Sequence, residues 1–256
     1  MTRPAACALA LLAACAPAVP EERYGFVALL GRDTVAVERV ARHGDVVTAE
    51  AVDRFPRVRS RRLRVELAPD GAIRRLAMDV HTPSEPPEQR DRRVTAEVTA
   101  DSVRLVKVDR AGTVSRAFAT GGGAAMAHLP QSYALYELYL DAALRRAAAA
   151  GRAPGDTVQM RQFYLDREFD RFPLHRGVVR PLGGGRAEIA HDWLSGTGEA
   201  TLDSARRLLR YSGARSTYQV EVRRLAEPPD VGEVAARFAE VEARGGGERA
   251  LSVRDT

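Results

Sequence analysis

Residues 62–80 read RLRVELAPDGAIRRLAMDV, and this stretch decides the fold. Leu63, Val65 and Leu67 alternate with Arg62, Arg64 and Glu66, a period of two that places apolar side chains on one face of a strand and charged ones on the other. Pro69-Asp70-Gly71 supplies a turn, after which Leu76, Met78 and Val80 resume the alternation. The stretch is a β-hairpin with a buried and a wet face. Working outward, residues 24–30, 33–41, 45–53, 58–68, 72–81, 92–100, 102–109 and 113–119 read as strands, several bounded by Gly, Asp or Pro. Asp101 and Ala111-Gly112 mark tight connections, so this half is an antiparallel meander. Thr82 to Gln89, with three prolines and two glutamates, reads as an exposed loop.

The best helix in the sequence interrupts the strands, over 131–150, stopped by Gly151. Tyr133, Leu135, Tyr136, Leu138, Tyr139, Leu140, Ala142, Ala143 and Leu144 cover most of its circumference. Glu137, Asp141 and Arg145 form the main polar stripe at i,i+4 spacing. A helix so apolar is buried on several sides, and at 1.5 Å per residue it is about 30 Å long, enough to lie across several strands of a curved sheet. Strands then return at 157–164, 174–181, 186–193, 197–203, 206–211 and 216–225. Asp230 and Glu233 make a capping-box-like pair ahead of the stripe Val231, Val234, Ala235, Phe238 and Val241, which predicts an amphipathic helix over 231–244. The fold class is mainly β (α+β): an antiparallel, curved sheet or half-barrel around one long apolar helix, with a C-terminal amphipathic helix. The domain spans 24–226, and 227–256 hold that last helix and a tail. After Gly245-Gly246-Gly247 the closing Leu251-Ser252-Val253-Arg254-Asp255-Thr256 reads either as a frayed tail or as the entry to a further domain.

Composition excludes wholesale disorder and a membrane-embedded body: 45% of residues are hydrophobic and 29% charged. Lys107 is the sole lysine among 39 basic residues, a bias read as compositional rather than mechanistic. The net charge of +5 does not imply a nucleic-acid partner, because the 34 acidic residues are interleaved with the arginines.

The first fifteen residues carry an address. Arg3 precedes an apolar run from Ala5 to Ala14, which has the form of an export signal and is too short to span a bilayer. Leu12-Ala13-Ala14-Cys15 resembles the bacterial lipobox. That resemblance implies a signal peptide over 1–14, acylation of Cys15, a tether over 15–23 and a membrane partner reached through the acyl chains. With Ala16 after the anchor, it implies an outer-membrane lipoprotein facing the periplasm. Ala16-Pro17-Ala18 also satisfies the small-x-small rule of an ordinary secretory signal, which would remove Cys15. Cys7 is the only other cysteine, so the mature chain has no internal disulfide.

An antiparallel sheet with an apolar helix inserted between two groups of strands is similar to the half-barrels of periplasmic lipoprotein carriers. The resemblance covers about residues 24–225 and implies a cavity for acyl chains; Tyr133, Tyr136, Tyr139 and Leu140 are the candidate ligand-binding residues. Arg57, Arg59, Arg61, Arg62 and Arg64 form the densest basic run, a candidate contact for anionic headgroups or an acidic partner, or a solvated strand face.

No catalytic motif is found: there is no G-x-S-x-G elbow, no H-E-x-x-H and no phosphate loop. The reading is therefore of a non-enzyme without cofactor or metal. Asp79-Val80-His81 and His191-Asp192-Trp193 pair a carboxylate with an imidazole, but His43, His128 and His175 are scattered and a site needs three or four convergent groups. Asp166, Glu168 and Asp170 lack the glycine of a calcium loop and read as a solvated turn, with Phe163, Tyr164, Phe169 and Phe172 at the core edge. Two functions follow: a lipid-anchored envelope protein binding an apolar ligand, or a structural or protein-interaction module of the envelope with a packed core.

Overall fold

The computed structural model describes residues 20–55, 57–122, 125–165, 174–191, 196–215 and 218–245. The apolar run Ala5–Ala14, Cys15, and Asp166, Glu168 and Asp170 lie outside them. Alternating sequence becomes alternating burial: in β1 (Glu22–Leu30), β2 (Asp33–His43), β3 (Val46–Asp53), β4 (Arg59–Leu67) and β5 (Ile73–His81), inward residues such as Phe26, Val40, Val47, Leu63, Val65 and Met78 are buried. A single helical turn, α1 (Pro87–Arg90), opens on proline within the segment read as loop. The meander continues through β6 (Asp91–Val98), β7 (Ser102–Asp109) and β8 (Gly112–Ala119), each strand antiparallel to the last.

β9 (Ala125–His128), four buried residues, has no counterpart among the strands expected from sequence. It is followed by α2 (Tyr133–Ala149) and a second meander: β10 (Val158–Tyr164), β11 (His175–Gly183), β12 (Arg186–His191), β13 (Thr197–Leu202), β14 (Leu208–Arg215) and β15 (Tyr218–Leu225). α3 (Val231–Ala243) comes last. β1 pairs with β15 and joins the two meanders into one fifteen-stranded open sheet, running β8 to β1 and then β15 to β9. The expectation of an antiparallel sheet needs one correction, since β9 and β10 are parallel. The connection between them carries α2, the kind of long crossover that a parallel pair requires.

One face of this sheet and α2 share a single core cluster, with members as far apart in the sheet as Val103 and Leu105 of β7 and Val179 of β11. β9, at one edge, contacts β5 from the other half, so the sheet curls toward itself. On the opposite face α3 covers a separate small cluster, Val37, Val52, Val58, Val231 and Phe238. Its N-terminus is capped as the sequence predicts, with the Asp230 carboxylate accepting the Glu233 N–H at 3.0 Å. The lead-in crosses β1 at Gly25, where a side chain would overlap the Pro229 ring.

Candidate functional site

α2 enters the interior carrying the acids of its polar stripe. Glu137 and Asp141 are 1% and 3% exposed. Glu137 accepts from the Tyr24 hydroxyl at 2.5 Å, the Leu208 N–H at 2.8 Å and Arg224 Nη1 at 2.7 Å. Arg224 also covers the Tyr24 ring, 3.5 Å from its centroid, and bonds Glu22 with its other terminal nitrogen. Asp141 accepts from Arg145 Nε at 2.9 Å and Arg206 Nε at 2.6 Å. Each buried carboxylate is thus met by charge and by hydrogen bonds, the condition on which buried charge is tolerated. Burial nevertheless raises the Glu137 pKa against the lowering effects of Tyr24 and Arg224, and burial raises that of Tyr24 as well.

A third acid comes from the sheet. Glu38 lies in the inward phase of β2 between Ala36 and Val40, and accepts from Ser132 Oγ at 2.9 Å and from the Tyr133 and Ala134 N–H groups at 2.7 and 2.9 Å. Ser132 at the N-cap of α2 makes no capping bond with its own side chain; Glu38 occupies the orphan donors instead. Burial pushes the Glu38 carboxyl up to about 7, outweighing the lowering effects of these donors and of Arg61. Glu38 was missed in the sequence reading, although an acid in the apolar phase of a strand is a readable signal.

The tyrosines proposed as ligand-binding sit deep. Tyr133, Tyr136, Tyr139 and Leu140 are each 2% exposed or less and belong to the core cluster. Tyr136 and Tyr139 share their surroundings with two imidazoles: the His128 and His191 ring centroids are 4.7 Å apart, and His191 Nδ1 lies 3.0 Å from Gln162 Oε1. The Tyr136 ring lies 5.3 Å from His128 and 5.0 Å from Tyr211. Burial, then the charges of His191 and His175, hold His128 well below the ordinary imidazole range, and burial pushes Tyr211 up to about 12. Glycines in the facing strands admit these rings. A side chain at Gly177 would overlap the Tyr139 hydroxyl, and one at Gly198 or Gly213 would overlap Tyr211. The arrangement packs two imidazoles and three phenols into the buried interior between α2 and the sheet.

The basic run divides between environments. Arg61 is 5% exposed, on the inward face, and pairs with buried Asp53, which Arg59 also contacts at 3.2 Å. Arg57 pairs with Glu85 at 2.8 Å. Arg62 and Arg64 face outward beside Glu50 and Glu66. These five residues do not form one exposed basic face. The outer surface carries pairs of opposite charge, among them Arg39–Glu50, Arg180–Glu188 and Arg210–Glu221. Asp79 and His81 share the outer face of β5 but pair separately, His81 Nδ1 with Asp91 at 2.6 Å and Asp79 with Arg93 at 3.6 Å. A shallow pocket of about 540 Å³ opens there, lined by Ser60, Arg62, His81, Asp91, Arg93 and Val108. Among the described residues no three metal-ligating side chains converge.

No family model matches this chain, and no curated protein matches its sequence. Its structure is similar to the crystal structure of a DUF1089 family protein from Pseudomonas aeruginosa, with a TM-score of 0.51 and 12% identity, over 74% of this chain and 96% of that one. It also matches a β-barrel-like protein of the domain of unknown function DUF1849 from Brucella abortus, with a TM-score of 0.48 and 11% identity, over 81% and 96%. The likeness is one of fold.

Proposed function

We propose that this chain is a lipid-anchored protein of the bacterial cell envelope, held at the membrane through Cys15, whose β domain is a protein-interaction module with a packed core. The observation that carries the module reading is the seating of α2: the residues that would line a ligand cavity, Tyr133, Tyr136, Tyr139 and Leu140, are packed at 0–2% exposure within the core cluster. Polar anchors from β1, β2, β14 and β15 hold the helix there, so admitting an acyl chain requires breaking several buried hydrogen bonds. The anchoring reading rests on Leu12-Ala13-Ala14-Cys15 and on Cys15 being the only cysteine after the apolar run.

Two measurements test the proposal. Native mass spectrometry of residues 20–256 is expected to give the bare chain mass, with no binding of a fluorescent fatty acid. A co-purified lipid would replace the module reading with an apolar-ligand carrier. The intact mass of the mature protein from a bacterial envelope is expected to carry a diacylglycerol increment on Cys15, and a chain beginning at Val19 would remove the anchor.

A further inference from the structure

The sheet ends differently at its two edges. β9 is four residues long and buried throughout. β8 is eight residues long, exposed or half-exposed along its whole length and on both faces. The Thr120 N–H donates to the Asp101 carbonyl at 2.8 Å, and the β7–β8 register runs from Ser102 opposite Ala119 to Asp109 opposite Gly112. Bonded pairs in an antiparallel ladder recur every second residue. Gly112, Val114, Arg116 and Phe118 therefore bond to β7, while the N–H and C=O groups of Thr113, Ser115 and Ala117 point out of the sheet. Among the described residues no strand pairs with this edge.

Edge strands are ordinarily blunted by lysine, proline, a bulge or short length. β8 contains no lysine or proline, and its register with β7 has no shift. Its single charge is Arg116, on the same face as half-exposed Val114 and Phe118, the second of which packs against the core. Arg104 of β7 stands opposite Glu97 of β6 on the outer face, whereas Arg116 stands opposite buried Leu105 on the inner one. Arg104 of β7 and Arg116 have no carboxylate partner among the described residues, and Arg116 Nη1 donates only to the Ser115 carbonyl, at 2.9 Å.

We infer that the outer edge of β8 is the docking edge of this module, and that it takes an extended acidic strand of a partner protein, added antiparallel as a sixteenth strand. The open amides of Thr113, Ser115 and Ala117 provide the main-chain ladder, which is the sequence-independent part of such recognition. Selectivity comes from a carboxylate opposite Arg116, flanked by apolar side chains opposite Val114 and Phe118. The inference deepens the interaction-module reading and fails separately from it, because neither an acyl group on Cys15 nor a ligand in the interior alters this edge.

The probe is a blocked, fluorescently labelled heptapeptide with threonine at odd positions, valine at the second and sixth, and glutamate at the fourth; a control carries lysine at the fourth. Fluorescence anisotropy with the wild-type chain is expected to saturate with the glutamate peptide and to be at least about tenfold weaker with the lysine peptide. Ser115→Pro removes one outward N–H without touching the β7 ladder, and is expected to abolish binding with an unchanged circular dichroism spectrum. Arg116→Glu, which leaves the β7 ladder and the outward N–H groups intact and removes only the Nη1 bond to the Ser115 carbonyl, is expected to reverse the preference between peptides and decides the matter if Ser115→Pro does not fold. Absence of saturable binding, or binding indifferent to Arg116→Glu, overturns the inference. Wild-type self-association in sedimentation that disappears in Ser115→Pro also overturns it, by placing a second copy on the edge.

Discussion

Glu38 is where the energetics of this fold are most exposed to test. Its carboxyl lies at the N-terminus of α2, where three donors favour the ionised form, in a fully buried site that disfavours it. Burial wins, and the gap between an ordinary glutamate at 4.5 and Glu38 at about 7 corresponds, at 1.36 kcal/mol per pH unit, to about 3 kcal/mol. The sign follows from a folded-state pKa above the unfolded one. The folded chain binds the extra proton between pH 4.5 and 7, so Glu38's contribution to stability is complete below 4.5 and is lost as pH rises to about 7. His128 acts in the opposite sense: its depressed folded pKa means that stability falls as pH drops through the ordinary imidazole range. A wild-type profile alone mixes the two, and Glu38→Gln separates them. The amide oxygen can accept from the Tyr133 and Ala134 N–H groups, and its NH2 can donate to Ser132 Oγ, so the variant imitates protonated glutamate. Urea unfolding followed by circular dichroism, wild type against Glu38→Gln, should show the variant gaining relative stability by about 3 kcal/mol between pH 4.5 and 8. A variant that instead loses ground as pH rises would show Glu38 to be ionised in the fold, with the helix terminus and Arg61 outweighing burial, and would refute the reasoning.

Three further outcomes are expected in the same assay. Gly177→Ala should cost about 1–3 kcal/mol by driving a methyl into the Tyr139 hydroxyl, whereas Tyr139→Phe, which removes a buried hydroxyl with no partner among the described residues, should be nearly neutral and should relieve much of the Gly177→Ala cost in the double variant. Neighbouring arginines should differ sharply: Arg61→Ala, which takes one of two arginines from the buried Asp53 carboxylate, should cost about 2–3 kcal/mol, and Arg62→Ala, with a side chain 81% exposed, less than about 0.5 kcal/mol. Phe238→Ala should cost about 2–4 kcal/mol at the α3 cluster, and should raise hydrogen exchange across 231–243 before it affects β1–β5, because that cluster is separate from the main core.

The strands were legible because one face of nearly every strand meets the core. Leu63, Val65, Leu67, Leu76, Met78 and Val80 alternate in sequence and are buried in the structure, within a residue or two of the expected strand ends. β9 was not legible: four residues are too few to display a period, and they pair through a partner more than thirty residues away. The partners of Glu137 and Asp141 were not legible, because an i,i+4 row of charges on a helix looks the same whether it faces water or Arg224 and Arg206. The division of the arginine run was hidden for a related reason. Strand alternation separates Arg61 from Arg62, but it does not say that Asp53 waits inside.

By itself the sequence determined what depends on local period: the two groups of strands, the inserted helix and the capped C-terminal helix. Period is a property of neighbouring residues, and the backbone geometry of strands and helices turns it directly into faces. Tertiary structure alone decided the partners: the β1–β15 seam, the parallel β9, Glu38 on the helix terminus, the glycines beneath the tyrosine rings and the open edge of β8. Each of these joins groups far apart in the chain, where the gain from burial and hydrogen bonding depends on which surfaces meet, and no local pattern records that.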